Sequence, residues 1–461
     1  MEAISQFFAS AMDSVDGAVQ LINSWLWDYA LLFLLMGTGI FFTIRLGFVQ
    51  IRKFGAGMKK LFGNFSLHGK DQENGLSSFQ ALTTAIAAQV GTGNIAGAAT
   101  AIASGGPGAI FWMWLSAFFG MATIYSEAVL AQKTRVEQDG QLIGGPVYYI
   151  KYLFKGKFGK FLAGFFSVAL ILALGFIGNM VQSNSIGDAF HTAFGIPAWS
   201  IGIVVALIAG FVFLGGVKRI ARVTEKVVPL MAVFYMVGCL IILFMNGSGV
   251  AQAFRDIFVG AFYPQAVMGG ALGIGVQQAM RYGVAKGLFS NEAGLGSTPH
   301  AHAIAKVKHP SDQGIIAMMG VFIDTFIILT LTALVILSTG VLGNGLTAAP
   351  LAQSAFDSAF GSFGKIFIAI CMFFFALTTI IGWYFFGEVN VKALFGKKAV
   401  KIYAALVVLF VLLGSSLKVD LVWNMSDMFN GLMFLPNIIA LLAGAGIVAK
   451  LNKDYNSLGK H

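Results

Sequence analysis

Apolar residues along this chain gather in long blocks separated by short polar gaps. The blocks cover residues 27–44, 79–103, 109–132, 161–186, 198–217, 227–245, 271–305, 314–342, 366–386, 399–414 and 429–448. A helix needs about 20 mostly apolar residues to cross the hydrocarbon core of a bilayer, and inside that core every backbone polar group must be satisfied within the protein. The blocks therefore predict an all-α polytopic membrane protein with about 11 transmembrane helices, spans one to eleven. The tenth is the shortest and carries Lys401. Ahead of them Ile4, Phe7, Phe8, Met12, Val15 and Val19 recur at helical spacing beside Glu2, Asp13 and Asp16. That pattern predicts a short helix over 1–21 lying on the membrane surface.

Two spans are interrupted. Span two reads Ala88-Gln89-Val90-Gly91-Thr92-Gly93-Asn94-Ile95-Ala96-Gly97-Ala98, and span seven contains Gly287-Leu288-Phe289-Ser290-Asn291-Glu292-Ala293-Gly294-Leu295-Gly296. The shared core, small-Asn-x-Ala-Gly, recurs with its asparagines 197 residues apart. Each copy opens a set of five spans, two to six and seven to eleven. Five is odd, so the halves enter the bilayer from opposite sides. Glycine-interrupted spans at matching places in two inverted halves point to the binding site of a secondary transporter. The organisation expected is an N-terminal segment 1–78 with span one, a first repeat 79–245, an extracellular connection 246–270, a second repeat 271–448 and a tail 449–461.

Backbone accounting says what the breaks offer. Gly91 and Gly93 let the chain leave helical dihedrals cheaply, which frees N–H and C=O groups in hydrocarbon. The half-helix beginning near Asn94 presents its positive amino end to an anionic group such as a carboxylate. The carbonyls of Ala87 to Val90 end the preceding half-helix and suit a cation. The same logic places the second break at Phe289, Ser290 and Asn291. Glycines that merely allow close helix packing would need no matching Thr and Asn.

Composition narrows the class. Of 461 residues 57% are hydrophobic and 11% charged, with a mean hydropathy of +0.80, which excludes a soluble enzyme. No Walker motif, no H-E-x-x-H and no room for a motor domain is present, so neither an enzyme nor an ATP-driven pump is expected and no cofactor is implied. The net charge of +10 does not mark a nucleic-acid partner, because 25 of the 30 basic residues fall in alternate gaps and only Arg255, Lys365 and Lys418 in the others. That bias puts the amino terminus outside and the carboxyl terminus in the cytoplasm. Met1 to Leu21 lacks the basic region and cleavage site of a signal peptide. Cys239 and Cys371, each inside an apolar run, are read as packing or lipid-facing residues.

Further polar residues sit within spans. In span four Phe176, Asn179 and Ser183 share one helical face, with Gln182 one position round; they line a pocket or bond neighbouring helices. Span nine carries Thr378, Thr379 and Trp383. Of the intramembrane acids, Glu127 and Glu388 lie near cytoplasmic ends, where solvation or an ion pair with Lys or Arg accounts for them. Glu292 is read as a cap or pocket-shaping acid in the first turn after the second break. Asp324, deeper in span eight, is a candidate second cation or proton site. Arg281 and Lys286 line an outer vestibule or snorkel to the surface. His300 and His302, at i and i+2, do not share a helical face and do not suggest a metal site.

The segments GTGNIAGAA and GLFSNEAGLGS, with GNMVQSNSI in span four, resemble the alanine or glycine:cation symporter family, which has the leucine-transporter (LeuT) fold within the amino acid-polyamine-organocation superfamily. The resemblance covers essentially the whole chain. It implies a ten-helix inverted-repeat core, here spans two to eleven, preceded by one extra span. It implies symport of a small neutral amino acid, alanine or glycine, with Na+ or H+ across the plasma membrane of a prokaryote, the inner membrane in a Gram-negative cell. Carried over residue by residue, the substrate carboxylate lies on the backbone of Thr92 and Gly93 beside Asn94, and its ammonium faces carbonyls near Phe289 and Ser290, with Asn291 adjacent. The coupling cation takes the Ala87 and Val90 carbonyls and the Thr378 and Thr379 hydroxyls, while Trp383 closes the side-chain pocket. Relatives with a second sodium carry an asparagine in the helix matching span eight, which here has none. A transporter of another small solute on the same fold is the alternative. A channel fits less well, since it would want a continuous polar lining or rings of carbonyls.

Overall fold

A computed structural model of the chain describes residues 16–63, 75–138, 140–268, 275–417 and 419–459. Most of the expected surface helix, residues 1–15, lies outside these. Residues 16–25 are helical and pass through a π turn, Leu26–Ala30, into α1, Leu31–Arg45. This part is thus one rod with span one. It is pinned where Asn23 Nδ2 donates to the Asn424 carbonyl (2.7 Å) and Trp27 Nε1 to that of Asp427 (3.2 Å).

Span two divides into α2 (Ser78–Gln89) and α3 (Ala98–Gly105), joined through a π turn, Gly93–Gly97. Ser77 opens α2 with a reciprocal capping box to Gln80, which satisfies two otherwise orphaned N–H groups. There follow α4 (Ala109–Thr134), α5 (Gly156–Phe194), α6 (Ala198–Phe213) and α7 (Gly216–Met245). Span seven divides into α8 (Val276–Asn291) and α9 (Pro299–Ala303). The chain ends with α10 (Pro310–Ser338), α11 (Ser362–Phe395), α12 (Ala399–Gly414) and α13 (Val419–Ser457). Among the described residues six helices, α4, α5, α7, α10, α11 and α13, are long and apolar enough to cross a membrane, and α1, α6 and α12 are shorter apolar helices.

Several helices outrun the apolar blocks that predicted them, because a helix continues into water once its core-facing stripe is anchored. The connection after α7 is itself largely helical, Gly247–Phe262. Its Phe258 and Phe262 rings lie 5.9 and 5.2 Å from Phe111 of α4, so an aromatic stripe holds it to the bundle. A hairpin of β1 (Val136–Gln138) and β2 (Gln141–Ile143), in register Val136↔Ile143, follows α4. Packing puts the two broken rods at the centre. α8 lies on α3 and α4, α2 on α7 and α11, α10 along α4, and α5 along α11. Cys239 and Cys371 are buried in helix contacts.

Candidate substrate and cation site

The first break behaves as the glycines predict. The ladder of α2 ends with Val90, whose ψ of 88° is not helical, and the freed groups are met from outside. The Gly91 N–H donates to Asn94 Oδ1 (2.9 Å), the Asn94 N–H to the Gly91 carbonyl (3.2 Å), and the Thr92 N–H to Gln182 Oε1 of α5 (3.2 Å). Asn94 Nδ2 reaches the Asp324 carboxylate (2.7 Å) and carbonyl (3.1 Å). A side chain at Gly93 would come within 3.0 Å of Ser290 Cα and 3.2 Å of Phe289. Only a bare backbone allows the two breaks to meet there.

The second break begins later than expected. Phe289, Ser290 and Asn291 are still helical, and the Glu292 N–H closes the last turn onto the Leu288 carbonyl (2.9 Å). The chain then turns at Glu292 (φ 59°), Gly294 (φ 99°) and Gly296 (φ 79°) and re-enters a helix at Pro299. Glu292 thus ends the incoming half-helix instead of opening the outgoing one. The pair Gly294 and Gly296 was the sequence signal for this position. α8 still ends its free carbonyls at the meeting point, with Ser290 Oγ donating to both Asp324 carboxylate oxygens (2.9 and 3.1 Å) and Asn291 Nδ2 to Thr325 Oγ1 (3.2 Å).

Asp324 is the knot between the two rods. It is wholly buried in a π segment of α10, Phe322–Leu329, and accepts from Asn94, Ser290 and Thr325. Gln89 Nε2 adds a crossing bond to the Asn291 carbonyl (2.7 Å).

From α11, Thr379 Oγ1 donates to the Ala87 carbonyl (2.8 Å) and to Phe375 of its own helix (3.1 Å). A Cβ on Gly91 would strike that same hydroxyl. Thr378 is not brought to α2: its hydroxyl bonds the Phe374 and Phe375 carbonyls (2.9 Å each) and touches Met231 Sδ (3.5 Å). Trp383 is buried beside the site, its ring edge-on to Phe289 at 5.7 Å and its indole N–H donating to the Glu292 carboxylate. From α5, Gln182 reaches the break, and Asn179 Oδ1 and Ser183 Oγ are buried with no protein partner, as is Thr92 Oγ1.

Phe176 does not face the breaks. It packs on Phe410 (4.7 Å) and Tyr403 (5.7 Å) of α12. The reason is a π segment in α5, Ile171–Gly178, whose wider turn takes Phe176 within it out of register with Asn179 and Ser183 beyond it. Gly178, not Phe176, lies against Trp383.

Sequence reasoning missed two residues. Trp423 of α13 packs against Phe289 at 4.8 Å with its ring tilted by 48°. Glu127 of α4, expected near a cytoplasmic ion pair, is fully buried and accepts from the N–H groups of Gly294 (3.1 Å) and Gly296 (2.9 Å) and from Asn437 (2.6 Å). No local pattern announces either, since each partner comes from a distant span. Glu388 sits in a small hollow with Lys218 and Lys392. His300 and His302 are buried, bonded to Asn390 (2.8 Å) and Gln313 (2.8 Å).

The two ends of the site differ. A cleft of about 770 Å³, lined by Trp27, Thr100, Arg281, Lys286, Trp423 and Asp427 among others, opens on the face where α3 ends and α8 begins. Its floor holds the Lys286–Asp427 ion pair (2.7 Å), with the ammonium 4.6 Å above the Trp423 ring. Lys286 is thus paired and does not snorkel. At the other face the Leu76 N–H donates to Ile304 (3.1 Å) and the Lys306 N–H to Leu76 (3.0 Å). Arg135 and Gln132 clasp the Ala305 carbonyl there (2.6 and 2.8 Å).

Comparison with known proteins agrees with this architecture. The profile of the sodium:alanine symporter family matches residues 12–461. A sodium/alanine symporter, AgcS, of Methanococcus maripaludis is 43% identical over 449 residues, covering 96% of this chain and 98% of that one. A putative sodium/proton-dependent alanine carrier, YrbD, of Bacillus subtilis is 40% identical over 456 residues, covering 95% and 92%. Among solved structures MhsT, in complex with L-phenylalanine, superposes with a TM-score of 0.56 at 15% identity, covering 83% of this chain and 99% of its own, which establishes a LeuT-like fold. These relatives are membrane transporters of prokaryotes, not enzymes. The chain belongs to the sodium:alanine symporter family.

Proposed function

We propose that this protein carries a small neutral amino acid, alanine or glycine, into the cell together with Na+ or H+ by alternating access. The observation that carries the reading is the meeting of two broken helices with an unpartnered buried hydroxyl, Thr92 Oγ1, at the first break, and two more unpartnered polar atoms, Asn179 Oδ1 and Ser183 Oγ, on the helix that sends Gln182 to it. Such atoms are costly to bury unpaired and ask for a polar ligand. The substrate carboxylate lies on the backbone of Thr92 and Gly93, where Gln182 Oε1 already supplies an acceptor oxygen 3.2 Å from the Thr92 N–H. The ammonium faces the Phe289 and Ser290 carbonyls, and Asn94 and Asn291 flank it. Trp383 bounds the side-chain pocket, while Phe176 serves as scaffold.

The coupling cation sits at the Ala87 and Val90 carbonyls with Thr379. Two oxygens 2.8 Å apart are the edge of an oxygen cage suited to a hard cation. Thr378 joins after turning from its own helix. Asp324, a buried carboxylate amid Asn94, Ser290 and Thr325, is a second cation or proton site that reports the state of both rods. The cleft is the external vestibule and the Leu76–Lys306 contact the internal seal. Eleven spans, the ten-helix inverted repeat preceded by α1, follow from the apolar blocks and the paired breaks, and the amino terminus outside from the charge bias. Purified protein in liposomes should accumulate labelled alanine only with a Na+ or H+ gradient of the same direction. Uptake that merely equilibrates, whatever the cation, rejects the symport reading.

A further inference from the structure

We infer that Glu292 is a positioning residue that sets the size limit of the substrate pocket by holding the Trp383 ring. This rests on the reading of Trp383 as the pocket wall. Three observations converge on it. First, Glu292 adopts a left-handed backbone (φ 59°), whereas the next two positive-φ positions of the same turn are the glycines 294 and 296. A residue with a Cβ is disfavoured in that conformation, which singles out the glutamate side chain for attention.

Second, its carboxylate is wholly buried and takes part in no ion pair among the described residues. It receives the Trp383 indole N–H and the Ser297 hydroxyl (2.5 Å). The Ser297 bond spans the turn that Glu127 also secures through the Gly294 and Gly296 amides, whereas the Trp383 bond reaches another helix, α11. Third, the indole is held on three sides. Glu292 takes the N–H, Phe289 meets the ring edge-on, and Gly178 lies so near that an added Cβ would stand 2.6 Å from Cζ3. The last two contacts are dispersion, which is soft to a small tilt. A hydrogen bond is directional, so the one to Glu292 fixes the angle of the ring relative to Phe289 and Ser290.

Without that bond the ring tilts away from the meeting point of the breaks and the pocket admits a longer side chain. A hydrophobic pocket discriminates one methylene by about tenfold or more. In liposomes Glu292→Ala should raise the kcat/KM of a five-carbon aliphatic amino acid relative to alanine by about tenfold. Glu292→Gln, which keeps a carbonyl oxygen for the indole, should hold the native ratio. A purely structural role would lower uptake of both substrates together and leave the ratio unchanged, and that result overturns the inference. Where transport is lost, the same ratio is read from the thermal stabilisation each amino acid gives the purified variant. Glu292→Asp, which withdraws the carboxylate by one methylene, carries the test if the alanine variant does not reach the membrane. If the unaltered protein neither transports nor is stabilised by any small amino acid, the transport reading itself fails; an unchanged ratio beside normal alanine uptake sinks only the role of Glu292.

Discussion

At the first break the chain leaves the helix at Val90 and Gly91 only, and its freed amides are met by neutral groups: the Asn94 side chain and Gln182. At the second it stays out of a helix over the seven residues 292–298, and carboxylates hold it, Glu127 on two backbone amides and Glu292 on Trp383 and Ser297. The first break is thus short and held by few bonds. The second is longer and strapped to two other helices through Glu127 and Trp383. Asp324, bonded to both, couples the first to the second.

Disrupting the first break at its closest approach should have the largest effect. Gly93→Leu drives a side chain into Ser290 and Phe289, which lie 3.0–3.2 Å from the position of its Cβ. Liposome uptake should vanish while folded protein remains in the membrane, and retained transport would mean that the breaks do not form the substrate site. Loosening the second comes next. Glu127→Ala leaves the Gly294 and Gly296 amides without their acceptor and takes one of two acceptors from Asn437, a loss of about 2–4 kcal/mol. The thermal unfolding midpoint should fall, and Glu127→Gln, keeping one acceptor oxygen, should recover part of it. An unchanged midpoint would show that the turn holds without the strap.

The smallest change sharpens the comparison at the cation edge. Thr379→Ala removes the hydroxyl on Ala87 and should raise the half-saturating cation concentration about tenfold, equivalent to ~1.4 kcal/mol. Amino acid affinity at saturating cation should move much less. The reverse order, read from the two titrations of uptake, would place the cation elsewhere.

Much of this arrangement was legible before any coordinates. The apolar blocks located the helices, Gly91-Thr92-Gly93-Asn94 located the first break, and Thr379 fell opposite Ala87 as the family resemblance implied. The second break was read three residues early, at Phe289, because the string Ser290-Asn291 matched the first break. The backbone instead follows Gly294 and Gly296. A constant helical period puts Phe176 on the face of Asn179 and Ser183, and the segment Ile171–Gly178, which turns more widely, carries it instead to a helix contact with α12. Glu127 looked like a residue near solvent because depth along a span does not say which loop lies beside it.

The sequence by itself determined that this chain lives in a membrane as helices, that two of those helices are broken, and which residues stand at the first break. Hydrocarbon leaves no other way to satisfy a backbone, and glycine marks where that rule is suspended. Only the tertiary structure decided that Asp324 joins the two breaks, that Trp423 and the Lys286–Asp427 pair floor the cleft, and that two buried glutamates fix the second turn. Those pairings link spans far apart in the chain, and a hydrogen bond a few ångströms long is set by how rods pack, which no local period encodes.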